Sequence, residues 1–469
     1  MSGDIKQQDA TALATAIAAG ILSAQEAMQH ALEAAEKWRH LGAISHLNAE
    51  QGLENAKALD QDQTSAPFKG VPSLFKDLGG PCAGLPIRLG SQAFADAPPE
   101  PDSILAKRLR NAGLNFFGTT TVPEFGLALA SKPATGPIAR HPFDETLSPS
   151  GSSGGAASAV ACGIVAIAHA TDAGGSIRVP AAACGLVGLK PSRGAIPSGP
   201  YFGNYLAGIA SEFALCRSVR DAATLLPLLA GKGESFLPDP AMMDGDVRQS
   251  LRVGVVSADL ANWPIASERM QAVVDAARAL EAQGHAIVEI PVEKLEPLIK
   301  ASACAFDRII SVNLAYAVDA FAIDENKLKP LTRAVAQRGR NFAATTLYAA
   351  MNDAVNSTHA FWQIFRDIDV LITPMLASAP LPLGAFAMDH DDVDAHWNKM
   401  TAFAPYAALG NISGFPALSM PFGEDADGMP LPIQLMAPIG ADALLLNLAK
   451  RLEQEQHWRH KFPIAGLNQ

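Results

Sequence analysis

The chain has 469 residues, of which 49% are hydrophobic and 18% charged, and its formal net charge is −11. A prior of about 150 residues per domain suggests roughly three domains, but large α/β enzymes exceed that prior as one unit, and a core of this size needs no covalent staples. The acidic balance argues against nucleic acid or an anionic membrane surface as a partner.

The cysteines Cys82, Cys162, Cys184, Cys216 and Cys304 are widely spaced and form no C-x-x-C pair. Neither a disulfide framework nor a thiolate metal site is indicated. The first nine residues lack a basic flank followed by an apolar core, so no secretory signal is expected and the cytoplasm is the default compartment.

In chain order, Ser23-Ala24-Gln25-Glu26 forms a capping box, and Ala24, Met28, Leu32 and Ala35 share one helical face, predicting helix to about Trp38. Asp102 or Ser103 opens a second helix that Gly113 ends, feeding the strand-like Leu114-Asn115-Phe116-Phe117. The small-apolar run from Ala156 to Ala170 is interrupted by Ser158, Gly163 and His169 and falls short of the roughly 18 residues of a membrane span, so it reads as buried core. Within it, Ile164 to Ala168 reads as a buried strand. The stretch from 232 to 250 reads as a loop joining two halves.

Leu251 to Val256, a helix from Ser267 to about Gln283 stopped by Gly284, and Ala286 to Ile290 form a β-α-β unit. Val370 to Thr373 is a further buried strand. Ala417 to Met420 and Ile433 to Met436 flank an Asp427-Gly428 turn, and a helix from Asp442 to about Glu453 closes the chain. This alternation implies an α/β fold, a sheet covered on both faces by helices.

Three segments carry candidate chemistry. Thr171-Asp172-Ala173-Gly174-Gly175-Ser176 follows the buried strand, at the sheet edge where α/β ligand sites lie. Its glycines let consecutive N–H groups converge on an oxyanion. Taken alone, it is also a plain strand-to-helix turn with a capping serine. Gly151-Ser152-Ser153-Gly154-Gly155 taken alone is a flexible loop, and it also fits the G-x-S-x-G nucleophile elbow centred on Ser153. The proline-bearing Asp144 to Ser150 is a poor strand, however, and the elbow needs one.

Lys76 closes an apolar run with Val71, Leu74 and Phe75 that can desolvate it. Lowering an ordinary lysine pKa of about 10.4 to about 7 takes roughly 4 to 5 kcal/mol of differential destabilisation, which burial can supply.

Jointly, the three segments resemble the amidase signature family. That family's core reads Gly-Gly-Ser-Ser-Gly-Gly, then Thr-Asp-x-Gly-Gly-Ser-x-Arg, with a lysine in Gly-Val-Pro-x-x-x-Lys-Asp. Here Ser152 and Ser176 stand 24 positions apart, and the likeness continues through Pro180 to Gly194, Phe403-Ala404-Pro405 and Gly410 to Ala417. The resemblance implies one amidase domain over 1–469, with an N-terminal helical segment at about 9–60, a catalytic core at about 61–231 and a C-terminal half at about 251–463. It implies an α/β/α sandwich around a mixed sheet.

It also implies Ser176 as nucleophile, Ser152 as proton relay after a cis Gly151-Ser152 peptide, and Lys76 as neutral base. The backbone N–H groups of Ala173, Gly174, Gly175 and Ser176 would form the oxyanion hole. Ser153, Thr171, Asp172 and Arg178 would support the site by hydrogen bonding. Ser150 departs from the pattern by replacing its first glycine. Val179 stands where tRNA-dependent amidotransferase subunits carry glutamine, which weighs against that role.

Weaker constellations remain. Asp389 to His396 lacks the glycine and spacing of a calcium loop and reads as solvated; His457 and His460 read as a surface helix terminus. His169 suggests a Ser-His-Asp triad but falls inside the buried strand pattern. The expectation is a bacterial cytoplasmic amidase with no cofactor and no metal, acting with water on a small uncharged, moderately apolar amide, with a homodimer as candidate assembly. Pocket walls are expected from Thr121 to Ser131, Pro200 to Ser211 and Cys304 to Tyr316, segments that most resemble those of bacterial members acting on nylon-type cyclic amides. The alternatives are a glutaminase subunit of a transamidase, or a hydrolase of carbamates or esters.

Overall fold

The computed structural model describes residues 8–197, 205–231 and 250–467. The expected loop at 232–250 therefore lies outside the described residues except for Ser250, as do positions 200–204 of one expected pocket wall and the first seven residues.

Among the described residues, eleven strands form one mixed sheet. They are β1 (Ile44–Leu47), β2 (Pro72–Lys76), β3 (Asn115–Thr120), β4 (Ile167–Asp172), β5 (Val187–Lys190), β6 (Ser211–Cys216), β7 (Arg252–Val255), β8 (Ala286–Glu289), β9 (Val370–Pro374), β10 (Ala417–Glu424) and β11 (Pro430–Met436). Their spatial order is β1-β3-β2-β4-β6-β5-β10-β11-β9-β7-β8. Strands β2 and β3, β2 and β4, β7 and β8, and β7 and β9 pair in parallel, and the other neighbours are antiparallel. Every residue of β2, β3, β4, β5, β6 and β9 is buried, as a sheet covered on both faces requires.

The expected local signals act as read. Ser23 and Glu26 close a reciprocal capping box on the helix Ala24–Lys37. Ser103 caps Ile104–Asn111, which leads into β3. The β-α-β unit is the parallel pair β7 and β8 around Ser267–Ala282, and β10 and β11 form the expected hairpin across residues 425–429. The apolar run from 156 to 170 is buried but divided: it holds most of the helix Gly154–Ala161, a turn, and the start of β4. The strand begins at Ile167, three residues later than expected, so Thr171 and Asp172 are its last two residues instead of part of the turn.

Periodicity did not reveal the helices Glu296–Ala320, Pro330–Asn341 and Ala344–Ile364. Pro330–Asn341 and Ala344–Ile364 both pack on Glu296–Ala320, and the short helix Ala407–Ser413, packed on Glu296–Ala320 and Ala344–Ile364, reaches the sheet end that carries the candidate site through Asn411 and the Asp172 carbonyl. Contact between Glu296–Ala320 and Pro330–Asn341 is close enough that a Cβ on Gly339 would lie 1.9 Å from the carbonyl oxygen of Ser311. Gly339→Ala is expected to push these helices apart at a cost of about 1 to 3 kcal/mol, read as a lower urea midpoint. An unchanged midpoint would contradict this packing.

Candidate active site

Because β2 and β4 run parallel, pairing Leu74 with Ala168, their C-terminal ends open on the same sheet edge. Lys76 is the last residue of β2, and Thr171 and Asp172 end β4. The loop before the helix Gly154–Ala161 brings Ser152 to them, and its Gly151-Ser152 peptide is cis. Lys76 Nζ lies 2.9 Å from Ser152 Oγ, 2.8 Å from Thr171 Oγ1 and 3.4 Å from the Thr171 carbonyl oxygen. Its side chain is fully buried. Burial pushes the ammonium pKa down to about 7, against the opposing pull of the Asp172 and Glu212 carboxylates.

The serine loop is fastened on two sides. Ser153 Oγ donates to the Thr171 carbonyl at 3.3 Å. Ser131 Oγ donates to the Ser152 carbonyl at 3.2 Å and accepts from the Gly154 N–H at 2.9 Å. Ser131 was foreseen only as the end of a pocket-wall segment, since nothing in its spacing signals this contact. Residues 148–153 contain no strand, which removes the basis of an elbow at Ser153. Ser150 adopts φ +64°, in the left-handed region that favours glycine, which explains why glycine is the expected residue there.

Ser176 sits in the turn between β4 and the helix Arg178–Cys184, and is 8% exposed. Among the described residues its hydroxyl has no hydrogen-bond partner, and it is not bonded to Ser152. Such contacts commonly tighten only around bound substrate. Of the four expected oxyanion donors, the Gly175 N–H is already engaged, donating to Asp172 Oδ1 at 2.7 Å. What Gly175 contributes is clearance, because at its φ of +115° a Cβ would come within 2.9 Å of both Ala407 and Val179 side chains.

Asp172 and Arg178 form a fully buried bidentate pair, with Nε to Oδ2 and Nη2 to Oδ1 both at 3.0 Å. Asp172 Oδ2 also accepts from the Ile177 N–H at 3.2 Å. Arg178 donates further to Asn411 Oδ1 at 2.7 Å, the Ala407 carbonyl at 2.9 Å and Gln434 Oε1 at 2.8 Å. Asn411 Nδ2 returns to Asp172 at both its backbone oxygen, 3.0 Å, and Oδ1, 2.9 Å. Burial alone would raise the Asp172 pKa, but the Arg178 charge and these hydrogen bonds hold it well below the usual carboxylate range. Asn411 and Gln434 were not foreseen as site residues; they stand more than 200 positions away from the motifs they complete.

The remaining histidines and acids divide differently. His169 stacks on Phe75 at 3.9 Å, accepts the Lys76 N–H at Nδ1, and lies 3.3 Å from Glu212 Oε1 without hydrogen-bond alignment. Burial lowers its pKa, and it is packed behind Lys76 and not beside Ser176. In 389–396, Asp392 caps the helix Val393–Phe403 and Asp389 pairs with Lys329 at 3.1 Å. His396, contrary to the solvated-loop expectation, is buried with Nε2 2.9 Å from the Leu127 carbonyl. The final helix ends at Glu453, so His457 and His460 lie past it; His460 turns inward to the Arg217 carbonyl at 2.8 Å, and burial pushes its pKa down to about 3. Among the described residues no cluster of His, Cys, Asp or Glu could hold a metal.

A cavity opens against Gly174, lined chiefly by Leu129, Ile299, Ala303, Phe306, Trp397 and Met400. Of the expected walls, 121–131 supplies Leu129 and 304–316 supplies Phe306. The described part of the third, 205–211, supplies none, and the helix Val393–Phe403 takes its place.

A lysine buried against the Ser152 and Thr171 hydroxyls thus lies at the sheet edge from which the Ser176 turn leaves β4. The family model for Amidase matches residues 26–446, and the chain belongs to the amidase signature family, whose members hydrolyse amides. It is 32% identical to the putative amidase AmiC of Mycobacterium tuberculosis over 461 residues, covering 96% of this chain and 95% of that one. Identity to the 6-aminohexanoate-cyclic-dimer hydrolase of Paenarthrobacter ureafaciens is 30% over 496 residues, 97% of this chain and 96% of that one. A solved structure of 6-aminohexanoate cyclic dimer hydrolase superposes with a TM-score of 0.89 at 28% identity, covering 97% of this chain and 98% of that one. The protein is an amidase, a hydrolase acting on amide bonds. None of its described helices is long and apolar enough to cross a membrane.

Arg178→Met is expected to leave the Asp172 charge buried and unpaired, costing about 3 to 5 kcal/mol. Urea denaturation should show the loss, and a midpoint within error of the parent chain would contradict the role given to this pair.

Proposed function

We propose that the chain cleaves amides through an acyl-enzyme on Ser176, with Ser152 as proton relay and Lys76 as base. The observation that carries this reading is the buried Lys76 Nζ, 2.9 Å from Ser152 Oγ, with a pKa near 7. In the first half-reaction Ser176 Oγ attacks the carbonyl carbon, its proton passes to Ser152 Oγ, and the Ser152 proton passes to Lys76 Nζ. The oxyanion accepts hydrogen bonds from the N–H groups of Ala173, Gly174 and Ser176. Collapse breaks the C–N bond as Ser152 protonates the departing amine and recovers a proton from Lys76. Water then enters, gives its proton to the same relay, and releases the acid from Ser176. Thr171 and Ser153 hold the lysine and the serine loop in register, while Asp172 and Arg178 hold the nucleophile turn.

The substrate we infer is an uncharged, moderately apolar amide, because the cavity beside Gly174 has no charged side chain among the described residues that line it. The relative named for hydrolysis of the 6-aminohexanoate cyclic dimer supports that class. A glutaminase subunit of a transamidase is disfavoured by Val179, which is fully buried against the Gly175 turn.

Ser176→Ala is expected to abolish covalent labelling by a fluorophosphonate and amide turnover together, and Lys76→Ala to lower kcat by a factor on the order of 10² to 10⁴. Near-parental hydrolysis by either variant would remove the mechanism. For pH, the base must be neutral, and its lowered pKa places that change at about 7. Thus kcat/KM should rise with pH through about 7, and this limb should vanish in Lys76→Ala. Burial also lifts the Asp77 carboxyl to about 7, so Asp77→Asn is the control that must retain the limb.

A further inference from the structure

The cavity beside Gly174 is built by two helix faces. Ile299, Ala303 and Phe306 recur at i, i+4 and i+7 on Glu296–Ala320, and Trp397 and Met400 at i and i+3 on Val393–Phe403, with Ala404 just past its end. Its one side-chain hydroxyl, on Thr401, is already donated to the Trp397 carbonyl at 3.0 Å. Among the described residues the walls therefore offer a ligand apolar contact and no polar side chain that is free. The cavity volume is about 30 Å³, small beside the roughly 300 to 1,000 Å³ of pockets that enclose drug-sized ligands. Room remains for only a short group.

Two rings set that limit. Trp397 is immobilised because its Nε1 donates to Asp307 Oδ1 at 2.9 Å, and Asp307 is itself held by Arg338 at 2.8 Å. Phe306 meets Trp397 edge-on, with centroids 5.5 Å apart and planes at 90°. Its ring comes within 2.7 Å of where a Gly174 Cβ would lie, two residues before Ser176. Ala303, one turn earlier on the same face, leaves the cavity its width.

We propose that Phe306, braced by Trp397, is the specificity-determining residue that limits the length of the substrate's acyl portion, so that the enzyme prefers amides of short, uncharged apolar acids. The acyl side is assigned because that part stays bonded to Ser176 through both halves of the reaction while the amine must leave. A narrow apolar recess suits the part that is retained. This inference rests on the Ser176 acyl-enzyme proposed above.

The test is kcat/KM of the full chain for p-nitroanilides of acetic, butyric, hexanoic and octanoic acids, with Phe306→Ala and Ala303→Phe measured in parallel. In the parent chain the values should fall from butyryl to octanoyl. Phe306→Ala should raise the octanoyl-to-butyryl ratio by about tenfold or more, and Ala303→Phe should lower it, a span typical of methylene discrimination in an apolar pocket. The Ala303→Phe arm keeps the test decisive should Phe306→Ala fold poorly. Unchanged ratios in both variants, with hydrolysis still abolished by Ser176→Ala, would overturn this inference and leave the acyl-enzyme reading standing. A change confined to a series of acetyl amides of different amines would overturn the acyl assignment. No turnover of any amide, together with no fluorophosphonate labelling of Ser176, would overturn both.

Discussion

The Asp172–Arg178 pair is the constraint on which the site hangs. Asp172 ends a strand, Arg178 begins a helix, and the turn between them carries the candidate nucleophile. The carboxylate collects the N–H groups of Gly175 and Ile177, while the guanidinium collects acceptors from Asn411, Ala407 and Gln434. Two opposite charges out of water gain little net stability over an apolar packing of similar shape, yet removing one partner is severe. What the arrangement supplies is definition: the turn cannot rotate without orphaning several buried polar groups at once.

Lys76 is governed by the same low dielectric with the opposite outcome. Asp172 stays charged because a guanidinium meets it, whereas Lys76 meets only hydroxyls and a carbonyl at hydrogen-bond distance. Its ammonium is destabilised without direct compensation, and the more distant Asp172 and Glu212 only moderate the shift. One buried charge is thus locked and the other is released, side by side at one sheet edge. In the proposed mechanism, that contrast lets a lysine take the part a histidine plays elsewhere. His169 sits in contact with the Lys76 backbone yet takes no such part, because it is stacked behind the strand.

Much of the site was legible before any coordinates. Lys76, Ser152 and Ser176 are marked by local patterns whose joint spacing is specific, and the helix caps at Ser23 and Ser103 are written in adjacent residues. Less legible were features decided by hydrogen-bond geometry at single atoms. The start of β4 shifted because helix and strand in the 156–170 run are equally apolar, so hydrophobicity does not mark the boundary. Gly175 looked like one more convergent donor until Asp172 was found to hold its N–H. His396 and His460 looked solvated from their polar neighbours, but tertiary acceptors at Leu127 and Arg217 bury the first and hold the second half-buried.

By itself the sequence determined the reaction class, the three candidate reacting side chains and the alternation of strands with helices, because each is written in short local segments. Only the tertiary structure decided which remote groups complete the site. Asn411 lies in a segment that carries the family likeness, but nothing local assigns it to the Arg178 cage; Gln434 on that cage, Ser131 on the serine loop, and Phe306 with Trp397 on the cavity come from segments with no local signature. Their positions follow from how an eleven-stranded mixed sheet and its helices pack, and packing is a property of the whole chain that no window of residues contains.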